Sequence, residues 1–166
     1  MHVRQMTTAY LFHENEVLMI KRSSSRVFNF KFWSGVGGHI EPEEINDPKT
    51  AALREIYEES GIAQQEIKEF SLRYILLRLK DDEIRQQYIY FGQTDRKDCT
   101  PSDEGELFWI KHEELAQLHM STINRLMLED YFQDPAGTEV KVGTIAIGDN
   151  GEPYIQWAKL KDPMMF

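Results

Sequence analysis

The stretch from Asp47 to Ile62 constrains this chain more than any other. Asp47 is a natural N-cap and Pro48 suits the first helical position, while Gly61 is a natural stop, so one helix is expected between them. Glu55, Glu58 and Glu59 stand at i, i+3 and i+4 and share one arc. Ala52, Leu53, Ile56 and Tyr57 occupy the opposite arc and are expected to bury against a sheet. Arg54 lies four residues before Glu58 and can pair with it. Three clustered carboxylates repel one another, so helix propensity alone does not favour the arrangement. A solvated acidic face is the plain reading for an arbitrary helix; a cluster for hard divalent cations, which take oxygen ligands, is the sharper one.

Strand patterns surround this helix. Ala9–Phe12 and Val17–Ile20 flank a turn at His13–Glu16, and Ser23–Ser25 reads as a loop. The aromatic and glycine-rich stretch from Phe28 to Gly38 reads as turns and close backbone approach rather than regular structure. Phe70–Leu79 and Gln87–Gln93 read as strands joined by the polar turn Lys80–Glu83. The polar loop Thr94–Gly105 precedes a strand at Leu107–Ile110, a short helix at His112–Leu118 and a longer one at Ser121–Phe132. The tail from Thr138 to Leu160 reads as a hairpin around Asp149-Asn150-Gly151. Mixed strands flanked by three helices predict an α/β or α+β sandwich, without the regular βαβα alternation of a doubly wound sheet. The expected organisation is one domain over 1–166, with 137–166 as a hairpin extension, at a length that suits a single core.

Composition narrows the function classes. With 28 acidic and 19 basic side chains the formal charge is −9, against a nucleic-acid or membrane-surface binder. A small anionic ligand stays open, because a divalent metal inverts the local field. Cys99 is the sole cysteine, so a reducing compartment is expected. Met1-His2-Val3-Arg4-Gln5 has no apolar signal core, and no long apolar run follows, so the expected protein is soluble and cytoplasmic. The five histidines lack zinc-like spacing, and no P-loop or dinucleotide-binding fingerprint occurs.

Gly38, Glu44, Arg54, Glu55, Ile56, Glu58, Glu59, Gly61 and Ile62 together resemble the Nudix box of the MutT-like hydrolases, G-x5-E-x7-R-E-U-x-E-E-x-G-U, where U is a bulky aliphatic residue. Arg54 to Ile62 fits the second half at every specified position, a chance match of roughly 10^-7 per start position. Two departures occur. Nine residues separate Glu44 from Arg54 where the pattern has seven, and Glu43 stands where glycine usually precedes the first glutamate. Glu41 and Glu43 are therefore alternative occupants of the place of Glu44. The two extra residues are expected to bulge between Glu44 and Asp47.

The resemblance implies the Nudix fold, a mixed sheet sandwiched between helices, and hydrolysis of a nucleoside diphosphate linked to another group. It implies Mg2+, with Mn2+ as a substitute, held by Glu55, Glu58 and Glu59, and Arg54 orienting one of those carboxylates. Metal ions would neutralise phosphate oxygens and position a water. Trp33-Ser34-Gly35-Val36-Gly37-Gly38-His39 is similar to the W-N-G-x-G-G-K run of Nudix enzymes that clear oxidised purine nucleoside triphosphates, with Ser34 for Asn and His39 for Lys. Trp33 or a neighbouring aromatic is thus a candidate to stack on a base, with Ser34, Gly37 and Gly38 beside it; a core tryptophan is the equal alternative. Glu104, before the strand with Trp109, sits where many members carry a loop glutamate acting as base or extra ligand. Lys21, Arg22 and Arg26 read as solvated surface cations rather than phosphate contacts.

The function expected is cleavage of a nucleoside triphosphate to monophosphate and diphosphate. The rivals are an ADP-ribose or nucleotide-sugar pyrophosphatase and a nucleotide-sensing Nudix module without catalysis. The hairpin strand Val140–Ile147 has apolar residues on both faces, which fits a covered strand at a homodimer edge, or a plain extra pair of strands on the same core.

Overall fold

The computed structural model describes residues 1–23 and 31–164. The expectations for Ser24, Ser25, Arg26 and Phe28 lie outside the described residues. Strand β1 (His2–His13) turns at Glu14-Asn15 into β2 (Glu16–Ser23), and β3 (Lys31–Ser34) follows. Helix α1 spans Pro48–Ser60. Strands β4 (Ile67–Lys80) and β5 (Glu83–Thr94) form a long hairpin, then β6 (Glu106–Lys111), helix α2 (Thr122–Gln133), β7 (Lys141–Ile147) and β8 (Pro153–Lys159) complete the chain. The expected short helix at 112–118 is a 3₁₀ helix, His112–Gln117, so among the described residues two α-helices flank the sheet rather than three. The stretch expected to lack regular structure also yields a strand, β3, because its backbone pairs with β2 from Ile20↔Ser34 to Ser23↔Lys31.

The strands form one mixed sheet in the order β3-β2-β1-β5-β4-β7-β8, with β6 on β2. β1 runs parallel to β5, and β7 parallel to β4; the other pairs are antiparallel. One face buries Tyr10, Met19, Tyr74, Ile89 and Phe91 against Met127, Leu128 and Tyr131 of α2. The other face buries Leu11, Leu18, Ile20 and Val36 against Ala52 and Ile56 of α1. This is the α+β sandwich that the element pattern predicts. The C-terminal hairpin adds two strands to the same sheet: β7 is covered by β4 and β8, and Ile145, Ile155 and Trp157 pack on the α2-side core.

The ends of α1 follow from its sequence. The Asp47 carboxylate accepts from the Thr50 N–H at 3.2 Å and the Thr50 hydroxyl at 2.7 Å, and Gly61 closes the helix in the left-handed region at φ 75°. Asp47→Ala removes the cap that fixes where this helix begins. A melting point lower by about 2–4 °C is the expected result, read by far-UV circular dichroism.

Candidate functional site

Which face α1 buries differs from expectation. Tyr57 is 61% exposed, whereas Glu59 is 2% exposed and Ala51 is fully buried. At 100° per residue the buried arc is turned by roughly 80° toward the carboxylates. The cause lies outside the helix. The Glu59 carboxylate accepts from Arg22 Nη2 at 2.6 Å and from the Gly37 N–H at 2.8 Å, so it enters the interior already satisfied. Burial still pushes its pKa up, opposed by the Arg22 charge; Glu55 is raised by burial in the same way, opposed by Arg54.

Residues 36–39 run along β1. Ala9 and Val36 exchange backbone hydrogen bonds, and the Thr7 N–H donates to the Gly38 carbonyl at 2.9 Å. This brings the glycines beneath α1. A Cβ on Gly38 would fall 2.5 Å from Glu55 Oε1, and one on Gly37, at φ 152°, would run into the Thr7 carbonyl. The Glu55 carboxylate thus occupies a cradle that only glycine leaves free.

Arg54 organises the acidic end. Its Nε and Nη2 grip both oxygens of Glu44, at 2.8 and 2.9 Å, and its Nη1 donates at 3.0 Å to both Glu55 and Glu58. The bidentate contact holds the Glu44 carboxyl below the usual carboxylate range. Of the three acids that could take that place, Glu44 is the one Arg54 reaches. It lies in a 3₁₀ turn, Pro42–Glu44, and Ile45 and Asn46 form an exposed turn before the Asp47 cap. The enlarged loop turns outward, and α1 stays seated on Gly37 and Gly38.

Arg22 is the residue that sequence reasoning missed. It is not a solvated cation: besides Glu59, it donates to the Gly37 carbonyl at 2.9 Å, to Ser34 at 3.3 Å and to Glu104 at 3.3 Å. It continues the alternation of Leu18 and Ile20 on β2 toward α1, a signal present in the sequence but unreadable without knowing that Glu59 is buried. Glu104 therefore joins the site through Arg22, and its side chain is 66% exposed.

These groups open onto a cleft of about 600 Å³ lined by Arg22, Phe32, Ser34, Gly37, Gly38, Glu55, Glu59 and Glu104 at one end. Trp33 does not line it. Its ring packs against Phe108 at 5.3 Å, with the Lys21 ammonium 5.3 Å from its centroid, while the neighbouring Phe32 faces the cleft. Lys21 accordingly covers an aromatic ring rather than reaching the cleft.

The donor set suits a hard divalent cation: all its members are carboxylate oxygens, one seated in the Gly38 cradle and one, Glu58, 56% exposed. Among the described residues no three such side chains already close around a common point; their oxygens are held by Arg22, Arg54 and the Gly37 N–H. Glu55, Glu58 and Glu59 are the residues that would hold a metal, which would supply charge neutralisation of phosphate oxygens and activation of a bound water. No described helix is long and apolar enough to cross a membrane.

Solved structures share this fold. The solved structure of the mutator MutT protein from Bacillus halodurans is similar over 96% of this chain and 99% of its own, with TM-score 0.72 and 19% identity. The MutT protein from Methanosarcina mazei Go1 is similar over 82% and 97%, with TM-score 0.66 and 20% identity. The NUDIX domain of Shewanella oneidensis NrtR, solved in complex with ADP ribose, is similar over 81% and 88%, with TM-score 0.62 and 13% identity. No curated protein matches the sequence. The family profile described as NUDIX domain matches residues 2–131, and with the whole helical half of the box in place the chain belongs to the NUDIX family and is a Nudix hydrolase.

Proposed function

We propose that this hydrolase cleaves a nucleoside triphosphate to monophosphate and diphosphate with Mg2+, for which Mn2+ can substitute. The observation that carries this reading is the Arg54-centred carboxylate set, Glu44, Glu55, Glu58 and Glu59, placed at one end of a cleft of nucleotide size. Glu55, Glu58 and Glu59 hold the metal. Glu44 and Arg54 position them. Glu104, exposed and tethered by Arg22, is the candidate to take a proton from the attacking water. Gly37, Gly38 and Ser34 let the phosphates approach the backbone. The substrate is a small molecule rather than a nucleic acid or a membrane surface, and the chain works as one folding unit over 1–166 in the cytoplasm. The sheet edge at β8 is the candidate homodimer interface.

The base stacks on Phe32 rather than Trp33. Phe32→Ala is expected to raise KM for nucleotides about tenfold with little change in melting point, whereas Trp33→Ala destabilises by about 2 kcal/mol and leaves KM near wild type. Steady-state kinetics beside thermal melts separate the two; the opposite pattern would return Trp33 to the binding site.

A comparison of kcat/KM over normal and oxidised triphosphates, ADP-ribose and nucleotide sugars, with product identification, tests the substrate class. Preference for triphosphates with monophosphate and diphosphate as products is expected. A higher kcat/KM for ADP-ribose or a nucleotide sugar would favour the diphosphate-sugar reading, for which the ADP-ribose complex of the NrtR domain is the precedent. Binding without turnover of any of them would leave a sensing module.

A further inference from the structure

The same cleft has a second, basic end. In the sheet register Arg4 lies opposite Arg85, and Arg85 lies opposite Arg78, so three guanidiniums form one row across β1, β5 and β4. Like charges directly opposite one another on a sheet repel. Glu83 balances two of them, accepting from Arg4 Nε at 2.8 Å and from Arg85 Nε at 2.7 Å. Arg78 is half-buried and has no ion-pair or hydrogen-bond partner among the described residues. Burial and the Arg85 charge both push its pKa down. Arg78 and Arg85 line the cleft together with Gln87, Leu76 and Ile145.

Ile145 belongs to β7, outside the residues matched by the family profile, and follows directly on the Leu77–Thr144 pair, beside Arg78. The C-terminal hairpin therefore supplies an apolar lining residue at this end of the cleft. In a chain of net charge −9, a row of three guanidiniums in which Glu83 bonds Arg4 and Arg85 but not Arg78 is not part of a general basic surface. A neutral base would leave their charge uncompensated, whereas an anion would neutralise it and accept from several donors at once.

We propose that Arg78 and Arg85 form an anion subsite for a second phosphate on the substrate, carried on the ribose side away from the cleaved anhydride. The subsite rests on the triphosphate reading only in that its phosphate belongs to the substrate. The subsite itself is tested without turnover, by calorimetric titration of the metal-free full chain with inorganic phosphate. Wild type is expected to bind, and Arg78→Gln to bind about tenfold more weakly or worse, with Arg78→Lys recovering most of the loss. Equal affinity in wild type and Arg78→Gln would overturn the subsite.

The source of the phosphate is then tested with Mg2+, using a nucleoside 5′-triphosphate with and without a 3′-phosphate. Wild type should show a KM about tenfold lower for the 3′-phosphorylated compound, and in Arg78→Gln the ratio should fall to about one. A ratio unchanged by the substitution would assign the subsite to free phosphate and overturn the substrate clause. Phosphate binding lost in Arg78→Gln, with neither triphosphate hydrolysed by wild type, would uphold the subsite and remove the triphosphate reading.

Discussion

Glu58→Gln is expected to lower kcat by about a thousandfold while the metal-free protein melts at or slightly above wild type. Glu58 is 56% exposed and, among the described residues, bonded only to Arg54 Nη1, an i,i+4 surface pair worth at most about 0.5 kcal/mol. Its removal costs the fold little and relieves repulsion from Glu55. What is lost is a charged oxygen ligand, which matters only in turnover. Glu59→Gln should lose activity as severely but is not silent for the fold. Although relief of carboxylate repulsion alone suggests a stable variant, Glu59 is buried against Arg22, and breaking that pair costs about 3 kcal/mol. Steady-state diphosphate release with Mg2+, beside melts in chelator, separates the two variants. Wild-type kcat in Glu58→Gln would make the acidic arc a solvated surface.

Gly37→Ala is expected to be at least as damaging by a different route. The backbone there is at φ 152°, and a Cβ would overlap the Thr7 carbonyl of β1. Strain of this kind costs about 1–3 kcal/mol, and overpacking against a backbone atom adds a similar amount. The Gly37 N–H that fixes Glu59 must move with it, so Arg22, Glu59 and the loop separate together. A destabilisation of about 3 kcal/mol or more and near-complete loss of activity are expected by denaturant melt and assay. A wild-type melt would mean that the loop does not depend on its register with β1.

What was legible in the sequence was local. Asp47-Pro48 and Gly61 marked both ends of α1 because capping is decided within a few residues. The Asn-Gly turn placed the tail hairpin, and Lys80–Glu83 the turn of the β4-β5 hairpin. Strand lengths exceed the expectation where polar residues continue the ladder: β1 reaches back to His2 through Arg4 and Gln5 because β5 pairs with it from His2 to Phe12. The parallel seating of β7 on β4 was not legible, since no local signal specifies a partner about 65 residues away.

The same limit governs the site. Glu55, Glu58 and Glu59 could be read from helical spacing; Glu44 rested on the box resemblance, with Glu41 and Glu43 as alternatives that only the reach of Arg54 decides. The burial of Glu59 could not, because its partners Arg22 and Gly37 belong to two other segments. Arg22 looked like a surface cation for the same reason. Arg78 and Arg85 became a pair only through cross-strand register.

Product analysis of a nucleoside triphosphate incubated with the purified full chain, in Mg2+ and again after chelation, tests the central claim most directly. Monophosphate and diphosphate formed with Mg2+ and suppressed by the chelator is the predicted result. No turnover of the triphosphate with Mg2+, or turnover that the chelator leaves untouched, would contradict it.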